Sequence, residues 1–415
     1  MSDQLAIRRR RFSQWLAASS ISLLANPALS GSAPKQKHIV IVGAGIVGSS
    51  IAYHLAKWGV KVTLLDRNTV ASGASHGTFA WINATWAKQP EHYHAFSQAG
   101  VDAWHELQTE LDLPIKWGGS LEWFSSASRQ QQLATDIIEQ QKWGEPAQII
   151  DAAEALKREP LVNFTGASLV AESPRDGALD PVVISKLLVS AAETLGSKTI
   201  EACDVVNIQN APDGQKVVQT TCGDITADRV VLATGADSSS VARLGRFELP
   251  QRSTAGVIVI TDPLPPLLNG ILVAPGVHIH QRIDGRLVIG EQEGAPDTEA
   301  HRARLMGRPT AFPTADISAE HARRLLTLAR QYLQMPDKVV VNEVVIGWRP
   351  LPLDGLPVIG PSPEDSDTYI AVMHSGVSLA AVVGHLVARE LVDGVDMAEL
   401  SPYRADRVFA SANRY

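Results

Sequence analysis

Two hydrophobic rhythms alternate along the chain, and the first clear one begins at His38. HIVIV, residues 38–42, is a short β-branched run of the kind buried on both faces of a parallel sheet. GAGIVG follows at once. From Gly48 the positions Ile51, Ala52, Leu55 and Ala56 recur at helical spacing until Gly59, a good C-terminal stop. Val60 to Leu65 is apolar again, so strand, helix and strand are expected in order, as a right-handed βαβ unit.

Further on the pattern changes. Residues 81–154 are richer in Trp, Gln and Glu, carry amphipathic helical stretches such as SQAGVDAWHELQTEL, and contain no second glycine loop, which marks an insertion outside the first sheet. A helix is expected from Pro181 to the stop at Gly196, followed by strands to Val218 with a hairpin turn centred on Pro212 and Asp213. DRVVLATGAD is a buried strand that runs into a small-residue turn containing Gly235. AGVIVITD, GILVAPGVHIHQRIDGRLVIGE and KVVVNEVVIGWRP alternate apolar and polar residues, with a tight turn at Asp284 and Gly285, and predict an antiparallel sheet with one face free to line a pocket. The last helix, roughly Ser378 to Val392, is apolar on most sides and must be buried.

The glycine loop carries the first chemistry. A helix N-terminus presents free amides to a pyrophosphate, and side chains there would hold the phosphates away. Gly43 permits the tight turn, Gly45 lets phosphate approach the backbone, and Gly48 lets helix and strand pack closely. Asp66 ends the second strand near the spacing expected of a carboxylate that binds ribose hydroxyls, so the unit binds a dinucleotide, FAD or NAD. Arg67 beside it hints at a 2′-phosphate, which the acid in the hydroxyl position argues against.

Composition narrows the class. The hydrophobic fraction is 45%, the net charge is -7 and no basic stripe appears, which fits a globular enzyme and not a nucleic-acid binder. Arg8 to Arg11 precede a mildly apolar Ala/Ser-rich segment that resembles a twin-arginine export signal, with cleavage near Ser30 or Ala33 and a periplasmic destination. That apolar segment is shorter than the roughly 20 residues of a membrane span, and no other run qualifies, so no transmembrane segment is expected. The hairpin register sets Cys203 opposite Cys222, either as a disulfide or as two separate thiols. No metal site is expected, because His278 and His280 have no third ligand nearby.

Several ordered motifs, VASGASHGT, ALDP, VVLATGAD, DGRLVIG, GWRPLPLDGLPVIGP and YIAVMHSGVSLA, make the chain similar to the flavin-dependent amine oxidoreductases typified by D-amino acid oxidase, glycine oxidase and sarcosine oxidase, from about His38 to Val392. The resemblance implies an α/β fold: a Rossmann-type, glutathione-reductase-like FAD domain interleaved with an α+β substrate domain built on an antiparallel sheet. On that plan residues 1–33 are the signal, 38–80, 155–250 and 342–400 the FAD domain, and 81–154 and 251–341 the substrate domain. It also implies Ser72 and Ser75 near the pyrophosphate, Val206 near the adenine through its backbone, and Gly376, Val377, Ser378 and Leu379 along the flavin edge.

Two residues are expected to act on substrate. Arg349 in GWRP follows a buried strand, and a planar two-pronged donor suits a carboxylate; the matching arginine of glycine and D-amino acid oxidases grips the substrate carboxylate. His278 falls where glycine oxidase has an active-site tyrosine, and it shares a strand face with His280 and Arg282. Trp81 and Trp348 are further pocket candidates. His76 lies in a place broadly similar to histidines that bind flavin covalently in some relatives, at a different spacing. Ser375 and Gly376 replace a second substrate-binding arginine of glycine oxidase, which shifts the expectation toward secondary amines, N-substituted amino acids or larger amino-carboxylates. The expected activity is oxidation of a C–N bond in a D-amino acid, glycine or N-alkyl amino acid by hydride transfer to flavin, with oxygen or a membrane quinone or cytochrome as acceptor. An NAD-dependent dehydrogenase and a flavin-bound electron-relay subunit are the alternatives.

Overall fold

In the computed structural model, which describes residues 37–85, 88–291 and 309–410, strand β1 (His38–Val42), helix α1 (Ile46–Lys57) and strand β2 (Lys61–Leu65) form where the apolar pattern places them. β1 lies between Arg229–Leu232 and β2 and runs parallel to both. The sheet extends past β2 to Lys198–Ile200 and, on its other side, to Asp365–Val372 and the antiparallel edge strand Val358–Ser362. Both faces are covered, which is why these strands read as unbroken apolar runs. On one face Val40, Val230 and Leu232 pack against Val205, Ile208 and Val218 of a three-stranded antiparallel sheet. Across α1 lies the helix Gly376–Asp393, held so close that a Cβ on Gly384 would fall 2.1 Å from the Ser50 hydroxyl.

A second sheet has eight strands, in the order Val341–Pro352, Gln251–Pro263, Arg286–Glu291, Val277–Gln281, Ile271–Ala274, Ser120–Glu122, Val170–Ser173 and Gln148–Ile150. Its neighbours pair antiparallel except Ile271–Ala274 with Ser120–Glu122. Alternate residues divide the two faces. Val257, Val259, Val277, Ile279, Leu287 and Ile289 form one core with Leu325 and Ala329 of the helix Ala315–Tyr332. Gly256, Ile258, His278 and Gly290, one position out of phase with those core residues, line a cavity on the opposite face. The tight turn at Asp284 and Gly285 and the hairpin turn after Asn210 both form, with Gly285 and Gly214 at positive φ.

The expected domain boundaries shift at two places. Val170–Ser173 pairs with Ser120–Glu122 and Gln148–Ile150, so it belongs to the eight-stranded sheet and not to the sheet around β1. Val341–Pro352, expected largely in the FAD domain, pairs with Gln251–Pro263 from Gln251 opposite Pro352 to Thr261 opposite Val341. A strand this long, with a partner of matching alternation, is fixed by its ladder whatever its place in the chain order. From Lys37 onward the described residues form one compact unit that contains both sheets.

Cys203 is buried and Cys222 exposed, and both are free thiols, so no disulfide closes the hairpin. The Cys203 thiol donates to the Thr220 hydroxyl at 3.3 Å. No helix among the described residues is long and apolar enough to cross a membrane. The twin-arginine segment falls in residues 1–36, outside the described residues.

Candidate active site

One cavity of about 1070 Å³ runs from the carboxyl end of β2 to the C-terminal half of the strand bearing Arg349. It exceeds the roughly 300–1,000 Å³ of an ordinary small-molecule site, as a groove for a dinucleotide plus a substrate should. Gly43, at φ +106°, turns the chain from β1 into α1, and a Cβ there would strike the Ala233 carbonyl at 2.4 Å. A Cβ on Gly48 would lie 1.9 Å from the Gly43 carbonyl, so Gly48 sets the helix against the strand and does not itself line the groove. Gly45 does line it, meeting only the Ser75 hydroxyl at 3.2 Å.

At the Asp66 end the two charged residues that close β2, Asp66 and Arg67, both have partners. The Asp66 carboxylate accepts from the amides of Ala44 and Asn68, both at 2.8 Å, which ties the end of β2 to the glycine loop and leaves acceptor capacity toward the groove. Arg67 donates to Asp237 at 2.9 Å, so its cation is already matched and makes no clamp for a 2′-phosphate. Burial pushes the Asp237 carboxyl up, but hydrogen bonds from Ser239 and Ser240 and the charge of Arg67 outweigh it and hold it down at about 2. Ser72, Ser75 and Gly235 line the groove, and the Ser75 hydroxyl accepts from the first helical amide, Ile46, at 3.0 Å. Val206 does not line it. It falls at a bulge with its carbonyl held by Arg243 at 2.5 Å, and Cys203, Asp204 and Val205 form the wall instead.

At the other end Gly376, Val377 and Ser378 line the groove at the start of their helix, whereas Leu379 is fully buried and packs toward Gly100. Arg349 faces the cavity and donates to the Ala255 carbonyl at 3.2 Å. Space for its guanidinium exists because residue 256 is glycine: a Cβ there would sit 2.6 Å from Nη2. Burial lowers the Arg349 pKa and the nearby Glu291 opposes the shift, so the guanidinium stays charged. His278 lines the same wall, edge-on to Phe79 and Trp81 at ring distances of 5.4 and 6.2 Å. Burial first, then the charges of Arg349 and Arg129, bring its pKa down to about 3, so the ring is neutral at ordinary pH. Its strand companions have structural duties: His280 donates to the Phe79 carbonyl at 2.7 Å, and Arg282 pairs with Asp180 at 2.6 Å. His76 is also engaged elsewhere, 3.1 Å from Glu343.

Trp81 and Trp348 both reach the cavity, each anchored by its indole N–H, to Asp176 at 2.8 Å and to the Pro309 carbonyl at 3.0 Å. Phe79, Asn83 and Lys88 line the cavity and escaped the sequence reading, and His374, which opens the HSGVSLA turn, lines it beside them. Lys88 is buried and donates to the Ser375 hydroxyl at 2.6 Å, a hydroxyl that also accepts from Tyr93 at 3.0 Å. Burial lowers the Lys88 pKa to about 8 against the pull of Asp176, and burial raises Asp176 itself to about 7. His374 is driven down to about 3 by burial and then by the charges of both Lys88 and Arg349.

A Rossmann-type sheet with this glycine loop, joined to a mostly antiparallel sheet that walls the far end of one groove, defines a dinucleotide-dependent oxidoreductase. The family model "FAD dependent oxidoreductase" (DAO) matches residues 38–390, and the chain belongs to that family. It is 26% identical to glycine oxidase of Geobacillus kaustophilus over 384 residues, 89% of this chain and 96% of that one. One of the opine oxidase polypeptides of Agrobacterium tumefaciens is 27% identical over 390 residues, 90% and 98% of the two chains. The crystal structure of the Geobacillus glycine oxidase superposes with a TM-score of 0.78 at 25% identity, covering 90% of this chain and all of that one. FAD is therefore the cofactor, the NAD-dependent alternative is set aside, and the chain is an oxidoreductase that acts on amino-acid or amine C–N donors. The groove fits FAD: Gly45 puts no side chain on the wall at the helix start, Asp66 retains acceptor capacity at one end, and the helix start at Gly376 lines the other.

Proposed function

We propose that the chain oxidises the C–N bond of a small amino acid or N-substituted amino acid whose carboxylate is held by Arg349, and that it works in the periplasm after twin-arginine export. The observation that carries this is the Arg349 guanidinium: half-buried, given room by Gly256, and lining the same cavity as the helix start at Gly376. A two-pronged donor in a desolvated site fixes a carboxylate in direction as well as position.

Bound FAD supplies the two-electron acceptor. Removal of two electrons and two protons from H–C–N–H leaves C=N, and water converts this to a carbonyl compound and a free amine. The chain's own groups orient and shield. Neutral His278 adds no charge that would compete with Arg349 for the carboxylate, and Phe79, Trp81 and Trp348 surround the substrate with apolar surface that excludes water. The helix start at Gly376 directs partial positive charge into the groove, where negative charge accumulates on reduction.

Anaerobic addition of sarcosine, glycine and D-amino acids in turn to the purified holoenzyme tests this. Bleaching of the visible flavin band by one carboxylate-bearing amine, lost in Arg349→Ala, is expected; bleaching by amines without a carboxylate, unaffected by Arg349→Ala, would sink the assignment. For export, replacing Arg9 and Arg10 by Lys is expected to strand the protein in the cytoplasm, and unchanged export of that variant would remove the claim.

A further inference from the structure

A second cation, Lys88, enters the substrate end of the cavity from the wall that carries Trp81 and Asn83, away from the eight-stranded sheet that presents Arg349. Its surroundings do not neutralise it. Nζ donates to Ser375 Oγ at 2.6 Å and lies 5.3 Å from the Tyr93 ring centre, and among the described residues it makes no ion pair within 4.0 Å. Asp176, the acid that acts on it from a distance, takes the Ser120 hydroxyl at 2.6 Å and the Trp81 indole at 2.8 Å on the single oxygen Oδ2, and its buried Oδ1 has no hydrogen-bond partner, Lys88 included. A lysine that is only 7% exposed, without a carboxylate in contact, is costly unless a ligand completes it.

Two further features lie in the same space. Ser375 is adjacent in sequence to His374, whose ring responds to Lys88 and to Arg349 together, so both cations bear on one short stretch of the cavity. Asn83 is only 6% exposed and lines the cavity, and its Oδ1 has no hydrogen-bond partner. Two cations and an orphaned acceptor call for a ligand with two anionic groups and an N–H donor.

Building on the amine-oxidising function proposed above, we propose that the substrate is a secondary amine carrying two carboxylates, one held by Arg349 and the other by Lys88, with its N–H directed to Asn83 Oδ1. Lys88 is the residue that sets this preference. The missing second arginine at Ser375 and Gly376 is thereby replaced by a cation from another part of the chain that converges on Ser375.

The test uses purified holoenzyme and two thioethers without a C–N bond to oxidise: thiodiacetate, with two carboxylate arms, and methylthioacetate, with one. Binding is read from the perturbation of the visible flavin spectrum at neutral pH. Wild type is expected to bind thiodiacetate at least tenfold more tightly than methylthioacetate; Lys88→Met should reduce that ratio to within twofold, Lys88→Arg should retain most of it, and Arg349→Lys should weaken both ligands. Equal affinities in wild type overturn the proposal even if no variant folds. A ratio that survives Lys88→Met also overturns it, and a changed flavin reduction potential in that variant would then assign Lys88 to the cofactor. Failure of the underlying function reads differently: methylthioacetate binding and sarcosine bleaching would both be insensitive to Arg349→Lys.

Discussion

The two ends of the groove follow opposite electrostatic plans. At the Asp66 end the two charged residues that close β2 are matched within the chain: Arg67 by Asp237, and Asp66 by two backbone amides. At the Arg349 end a half-buried cation, Arg349, and a buried one, Lys88, face a cavity whose histidines are neutral, and among the described residues neither makes an ion pair within 4.0 Å. Matched charges build a rigid cradle that can be complete before any ligand arrives. Unmatched buried cations are stabilised by what binds, so the second end stores its specificity in its own desolvation.

This contrast makes graded predictions. Arg349→Ala removes the stronger cation and is expected to lower kcat/KM for a carboxylate amine by about 30- to 5000-fold, corresponding to the ~2–5 kcal/mol of truncating one partner of a desolvated charged pair, while FAD remains bound. Steady-state kinetics with the flavin spectrum as control would check it. Gly48→Val acts at the opposite end: its Cβ would meet the Gly43 carbonyl at 1.9 Å, and the overpacking of about 1–3 kcal/mol should weaken FAD binding by roughly 10- to 100-fold. Equilibrium dialysis of the cofactor measures that loss.

Smaller effects sharpen the comparison. Lys88 is charged below its pKa of about 8 and neutral above it, so affinity for a dicarboxylate should fall as pH rises through and beyond that value. Asp176, with a pKa of about 7, ionises as pH rises toward the Lys88 transition and delays the loss by favouring the ammonium; His374 is neutral throughout. Binding titrations across pH 6 to about 10 should show the fall in wild type and a flat profile in Lys88→Met. Least affected should be Arg67→Ala. An exposed ion pair contributes about 0.2–1 kcal/mol, so FAD affinity is expected to change by less than tenfold, with no preference for a 2′-phosphorylated dinucleotide in the parent.

How far each end was legible in the sequence follows from how it is assembled. β1, the glycine loop, α1, β2 and Asp66 are contiguous, and each local choice agrees with the next, so pattern and spacing sufficed. The substrate end gathers Phe79 to Lys88, His278, Trp348, Arg349 and His374 from four remote segments. Arg349, His278, Trp81 and Trp348 could be singled out because motifs or apolar runs flank them. Lys88 stands in the polar stretch KQPEHYH, where a lysine reads as solvated surface, and only the fold buries it against Ser375. Val206, which the resemblance sets near the adenine through its backbone, adjoins the lining residue Val205 at a bulge that no periodicity announces. The short strands Ser120–Glu122, Gln148–Ile150 and Val170–Ser173 are three or four residues long, too brief to show an alternation, and they exist by virtue of their neighbours. The helix Ala315–Tyr332 did leave a signal, since Ala322, Leu325 and Ala329 recur at helical spacing in a polar segment.

The most direct test of the account is the rate of anaerobic flavin bleaching by a carboxylate-bearing amine in wild type, Arg349→Lys and Arg349→Ala, followed by stopped-flow absorbance. A steep loss in both variants, with the flavin spectrum and its retention unaltered, is the predicted result. Bleaching at the wild-type rate in Arg349→Ala would contradict the assignment of the half-buried guanidinium to the substrate carboxylate.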